Sequence, residues 1–136
     1  MSDQNQGTDP SSILRVVTEE DMTPEERLRS ENADIIAKAE SEHDEIAIYQ
    51  APKGFSGIVI VAAPSNPKTF QNFVNQVAKP ETDKAVETQN FALNCVVHPD
   101  RNAMKAMFAK RPAFALKIAG RAQELCGSET KELGKD

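Results

Sequence analysis

Tryptophan is absent from this sequence, tyrosine occurs once and cysteine only twice. Any core must therefore be built from aliphatic side chains and the six phenylalanines. Two cysteines without CxxC spacing exclude a disulfide scaffold. Cys95 and Cys126 stand in apolar, helix-like stretches and read as small core residues of a chain kept reduced. Long apolar runs are missing as well. The longest, residues 58–63, falls far short of the roughly 20 residues a membrane-spanning helix needs. Residues 1–10 lack the basic and apolar regions of a secretory signal, so the expected compartment is the cytoplasm, with no membrane partner.

Positive charge is also in short supply. Sixteen Lys and Arg against 21 Asp and Glu leave a net charge of −5 and argue against nucleic acid as the main partner, because phosphate binding draws on clustered cations. Residues 105–121 form a basic stretch, but Ala, Met and Phe dilute it. Its cations read as the solvent faces of helices whose other faces are apolar.

What is present points to one folded unit. A chain of 136 residues with 39% hydrophobic and 27% charged residues suits a single domain. Residues 1–20 read as a flexible polar leader, 21–127 as a single α+β domain, and 128–136 as a polar tail. The fold class expected is helix-rich α+β: an N-terminal helix, one β-hairpin and about four C-terminal helices.

The local signals behind that expectation are specific. Thr23-Pro24-Glu25-Glu26 combines an N-cap, a first-turn proline and a capping-box glutamate, starting a helix that should run to about Glu42 on a narrow stripe of Leu28, Ile35, Ile36 and Ala39. The period then changes to two. Ile46 and Ile48 alternate with Ala47 and Tyr49, residues 58–61 are β-branched, and Gly54 and Gly57 supply a reversal between two strands. Asn66-Pro67 starts the most amphipathic helix, with Phe70, Phe73, Val74, Val77 and Ala78 on one face. Pro80 ends it. Thr82 or Asp83 caps the next helix, expected at the centre of the core, where Val86, Leu93 and Val97 form the stripe that Phe91 and Cys95 broaden. Pro99-Asp100 opens a short helix that Arg111-Pro112 closes. A last helix carries Phe114, Ile118, Ala122 and Leu125 inward and ends at Gly127.

Chemistry-bearing motifs are few. His98-Pro99-Asp100 matches the loop of J-domain co-chaperones, but the preceding helix is not basic and Pro112 forbids the long helix that should follow. A helix stop and an N-cap account for it. Glu42-His43-Asp44-Glu45 gathers metal-ligand types, yet contiguous residues at a helix end point in different directions. Gly54-Phe55-Ser56-Gly57 resembles a GxxG loop but joins two strands, where turn geometry explains it. His98 lies three residues from Cys95, which the buried stripe claims. No phosphate loop, nucleophile elbow or dinucleotide fingerprint occurs. The sequence therefore assigns no catalytic residue, no cofactor site and no metal site, and reads as a binding protein and not an enzyme. Met104, Met107, Phe108 and Phe114 cluster on the last two helices. Core packing is the plainer explanation, but methionine surfaces adapt to partners, which makes these four candidate partner-binding residues.

The order of these elements resembles the small tail assembly chaperones of long-tailed bacteriophages, over roughly residues 30–127. The likeness rests on an acidic helix running into a hairpin over residues 42–63, Ala63-Pro64-Ser65 leading into a Phe-bearing helix, Asn94-Cys95-Val96-Val97-His98-Pro99-Asp100, and Lys110-Arg111-Pro112-Ala113-Phe114 leading to Glu124-Leu125-Cys126-Gly127. His98 stands where such proteins have Tyr, Ala113 where they have Gly, and Cys126 where they have Ala. The resemblance implies a non-catalytic factor of the infected host cytoplasm, absent from the finished virion. It implies partners, the tape measure protein and the tail tube protein, and leaves room for a homo-oligomer. A structural accessory subunit of the particle is the alternative within the same class, and a small thiol or metal enzyme the alternative outside it.

Overall fold

The computed structural model describes residues 21–128 and Leu133. The leader and most of the tail expected from sequence lie outside the described residues. The element order is α1 (Pro24–Glu31), α2 (Ala33–Glu42), β1 (Ile46–Gln50), β2 (Ile58–Ala62), α3 (Lys68–Val77), α4 (Lys84–Cys95), β3 (Val96–His98), α5 (Arg101–Lys110) and α6 (Pro112–Gln123). A π-helical turn, Glu124–Ser128, follows. This is a helix-rich α+β domain around a three-stranded antiparallel sheet, with four helices after the hairpin as expected.

The sheet sets the layers. Its order is β1-β2-β3, so β2 is central, and all five of its residues are buried. Because successive side chains alternate across a strand, its two faces feed two different clusters. Ile58 and Ile60 meet Ile36 and Ala39 of α2, with Leu28, Ile46 and Ile48 packed at the edges. Val59 and Val61 meet the larger cluster, which holds Phe91, Met104, Phe108 and Ile118 from α4, α5 and α6. The molecule is therefore three layers: α1–α2, sheet, then α3–α6. Burial of each Val or Ile side chain in β2 is worth roughly 1.5–3 kcal/mol, and the strand is anchored from both sides.

Capping works as the sequence reads. The Thr23 hydroxyl accepts from the Glu26 N–H at 3.1 Å while the Glu26 carboxylate accepts from the Thr23 N–H at 2.9 Å. Asp83 accepts from the N–H groups of Ala85 and Val86, and Asp100 from that of Ala103. Gly54 and Gly57 take φ of +98° and +89° in the hairpin connection, and Gly127 takes φ +110° at the final turn. Those angles favour glycine because other residues would crowd their own Cβ.

Four expectations need correction. The helix expected to run from Thr23 to about Glu42 is two helices broken at Asn32, whose backbone leaves the helical region at φ −116°, ψ 21° and whose side-chain amide donates to the Leu28 carbonyl at 2.8 Å. A side chain that bonds its own backbone competes with the helix there. The sheet has three strands, not the two of a lone hairpin. Val96–His98 leaves the end of α4 and pairs antiparallel with β2, Ile60 opposite His98 and Val61 opposite Val96. Val97 thus belongs to an edge strand, 37% exposed, and Val86, also placed on the buried stripe, is 48% exposed. Cys126, expected in the core with Cys95, is exposed.

Candidate functional site

The Met and Phe cluster is the first place to look for a contact surface, and the structure corrects that expectation. Met104, Met107 and Phe108 are 0%, 4% and 2% exposed and sit in the larger core cluster. Phe114 is half-buried, edge-on to Tyr49 with ring centres 6.4 Å apart and 6.2 Å from Phe108. Their spacing on α5 and α6 faces the sheet and α4, so packing claims them.

Helix α3 carries an apolar stripe that the core covers only in part. Its helix begins where Asn66 accepts from the Lys68 N–H at 3.0 Å, and it carries Phe70, Phe73, Val74 and Val77 at helical spacing. None of its residues is fully buried; Phe70, Phe73 and Val77 are half-buried and Val74 is 38% exposed. Phe73 stacks on the buried Phe91 of α4, centroids 4.5 Å apart and planes 13° apart, and Phe70 tilts against the same ring at 5.9 Å. Stacked and tilted pairs of this kind add about 0.5–1.5 kcal/mol beyond area burial. They fix how α3 lies on α4.

Between these two helices runs a cleft of about 170 Å³. From α3 it is lined by Thr69, Asn72, Phe73 and Gln76. From α4 come Glu87, Asn90, Phe91 and Asn94. Each helix thus contributes residues at i, i+3, i+4 and i+7, the rows that face a neighbour. The floor is aromatic and the rim is mostly amide, completed by Thr69 and Glu87. Every Asn or Gln offers both donors and an acceptor, so the rim can meet the polar groups of a partner in either sense while the floor takes an apolar side chain. Asn94 is held by the Arg101 guanidinium, which donates to its Oδ1 at 3.0 Å. Sequence reasoning missed the amide rim, although Asn72 and Gln76, and Asn90 and Asn94, are spaced one turn apart beside Phe73 and Phe91 and carry that signal.

The remaining chemistry-bearing residues are dispersed. His98 borders a wide groove of about 610 Å³ between the hairpin loop and Pro99, lined by Gly54, Phe55, Ser56, Gly57 and Met107 among others. Cys95 borders a different one, shared with His43 and residues 62–65. Burial pushes the Cys95 thiol up to about 12, with the neighbouring Cys126 adding to the effect, and desolvation raises Cys126 as well. Both thiols are therefore protonated at neutral pH, the opposite of an activated nucleophile. Burial likewise raises Tyr49, against a lowering from Arg121. Among the described residues no group of three or more His, Cys, Asp or Glu is placed to hold a metal ion, and no helix is long and apolar enough to cross a membrane.

A family model described as a domain of unknown function, DUF6848, matches residues 59–135. That is more than half of the chain. The chain belongs to the DUF6848 family. Its match opens at Val59, inside β2, and takes in β3 and α3–α6, so the DUF6848 region contains most of the larger core and the whole α3–α4 cleft. No curated protein and no solved structure matches the chain.

Proposed function

We propose that this protein is a non-catalytic assembly chaperone of the phage tail kind, which holds the tape measure protein soluble in the host cytoplasm while tail tube protein polymerises around it. Two things support the reading. One is the resemblance carried by residues 42–63, Ala63-Pro64-Ser65, Asn94 to Asp100 and Lys110 to Gly127. The other, which carries the most weight, is the partly covered apolar stripe of α3 beside a cleft with a largely amide rim and Phe73 and Phe91 at its floor. A long helical client repeats apolar residues at i, i+3, i+4 and i+7, and such a ridge fits a groove between two helices. The amide rim adds polar contacts that tolerate many sequences, which suits a holding role.

The test is co-expression with the tape measure protein encoded in the same genome. Wild-type chain should keep that client in the soluble fraction. Asn72→Arg with Asn90→Arg, both at exposed positions, should fill the cleft and return the client to the pellet while leaving the chain's own melting temperature unchanged. An insoluble client beside folded wild-type chain contradicts the proposal. So does recovery of the chain in purified particles at the level of a structural subunit.

A further inference from the structure

Charge is divided across the sheet far more sharply than the net value of −5 suggests. Between residues 21 and 45, the segment that holds the α1–α2 layer, nine acidic residues stand against Arg27, Arg29 and Lys38. Between residues 101 and 123, the α5–α6 pair, there are six cations and no acid. The two segments cover opposite faces of the sheet, since α2 packs on Ile58 and Ile60 while α5 and α6 pack on the side of Val59 and Val61. The two charged segments touch at one edge, where Arg121 pairs with Glu45 at 3.8 Å, and elsewhere cover opposite faces of the sheet.

Each charged face also presents an apolar residue to solvent. On α6, Leu116 is 63% exposed, set among the small residues Ala113 and Gly120, while Lys117 lies over the Tyr49 ring, its Nζ 5.5 Å from the centroid. Lys105 and Lys110 are exposed on α5. On α2, Ile35 is 37% exposed beside Asp34, with Glu42 two turns further along and Glu31 just before it at the end of α1. An exposed leucine on a basic pair of helices and an exposed isoleucine on an acidic pair are complementary in both apolar character and sign.

We propose that the α5–α6 face docks the α1–α2 face of a second copy of this chain, giving a head-to-tail association. Neither face suits its own copy, because two basic or two acidic surfaces repel, so a two-fold symmetric dimer through either one is disfavoured. The heterologous contact uses a different surface on each partner. It therefore repeats along an open chain or closes into a ring. The α3–α4 cleft takes no part in the contact and stays available along such an assembly.

Sedimentation velocity on the full chain tests this. At about 0.01 M salt, where the screening length is about 30 Å, the average mass should rise with protein concentration; at about 1 M, where it is about 3 Å, the chain should be monomeric. Lys105→Glu with Lys110→Glu, or Glu31→Lys with Asp34→Lys, should each weaken self-association about tenfold or more. Mixing the two variants should restore association, because both faces of the one, now acidic, complement both faces of the other, now basic. All four changes in one chain should restore association. A wild-type chain that stays monomeric at low salt overturns the proposal, as does association indifferent to salt or to either reversal. Binding of an acidic peptide or of DNA by a chain that never self-associates would also overturn it. Circular dichroism melts of the variants report that each is folded.

Discussion

The two faces of the sheet show how differently one strand can be covered. On the α1–α2 side the described residues supply four buried positions, Ile36, Ala39, Ile58 and Ile60, and α1 itself buries none. On the α3–α6 side fourteen are buried, with Phe91, Met104, Phe108 and Ile118 among them. The thin layer is held by a narrow stripe and good caps, the thick one by close packing of large side chains. Stability should therefore sit on the side where the DUF6848 match lies, while the acidic layer adds a charged outer surface at small packing cost.

Core truncations should separate the two sides most widely. Phe108→Ala should lower the unfolding free energy by about 3–5 kcal/mol, since its ring is fully enclosed and the void cannot collapse easily. Ile36→Ala should cost about 2 kcal/mol, because a two-helix layer can settle onto the sheet. Urea titrations of both variants would break the comparison if Ile36→Ala proved the costlier. A pH effect comes next. Below the ordinary thiol value of 9.0, Cys95 is protonated in both states and contributes nothing; between there and about 12 only the unfolded chain loses the proton, so stability falls as pH rises. Cys95→Ala should show a shallower fall across that window in urea midpoints measured against pH. At neutral pH a thiol reagent should modify Cys126 and reach Cys95 only after unfolding.

Capping gives a smaller contrast. Asp100→Ala should cost about 1 kcal/mol, because α5 delivers Met104, Met107 and Phe108 to the core. Thr23→Ala should cost closer to about 0.5 kcal/mol globally, since α1 can fray without exposing a buried residue. Smallest of all is Arg29→Ala, which removes an exposed pair with Glu25 at 3.5 Å and should shift stability by less than about 0.5 kcal/mol. Thermal melts resolve the order of these three.

Much of the fold was legible because its signals are local. Thr23 with Glu26, Asp83 and Asp100 announce helix starts by chemistry that acts within four residues, and the alternation of Ile46 to Tyr49 announces a strand. The third strand was not legible for the opposite reason. Val96, Val97 and His98 continue the periodicity of α4, and only the open edge of β2, some 35 residues earlier in the chain, draws them out of the helix. Asn32 concealed a helix break in the same way, since the residues on either side read as one helix. The expected contact surface failed on burial. Methionine and phenylalanine at helical spacing look alike on a core face and on a binding face, and the sheet decided for the core. The cleft went unread because its rim is mostly asparagine and glutamine, types that carry no reactive chemistry and so attract no motif.

The claim that the α3–α4 cleft, and not the Met and Phe cluster, meets the client can be tested directly by hydrogen exchange on the full chain, free and bound to the tape measure protein. Binding should slow the amides of α3 and of residues 87–94, with little change in α5. Unchanged exchange in α3 together with new protection confined to residues 104–114 would contradict the account.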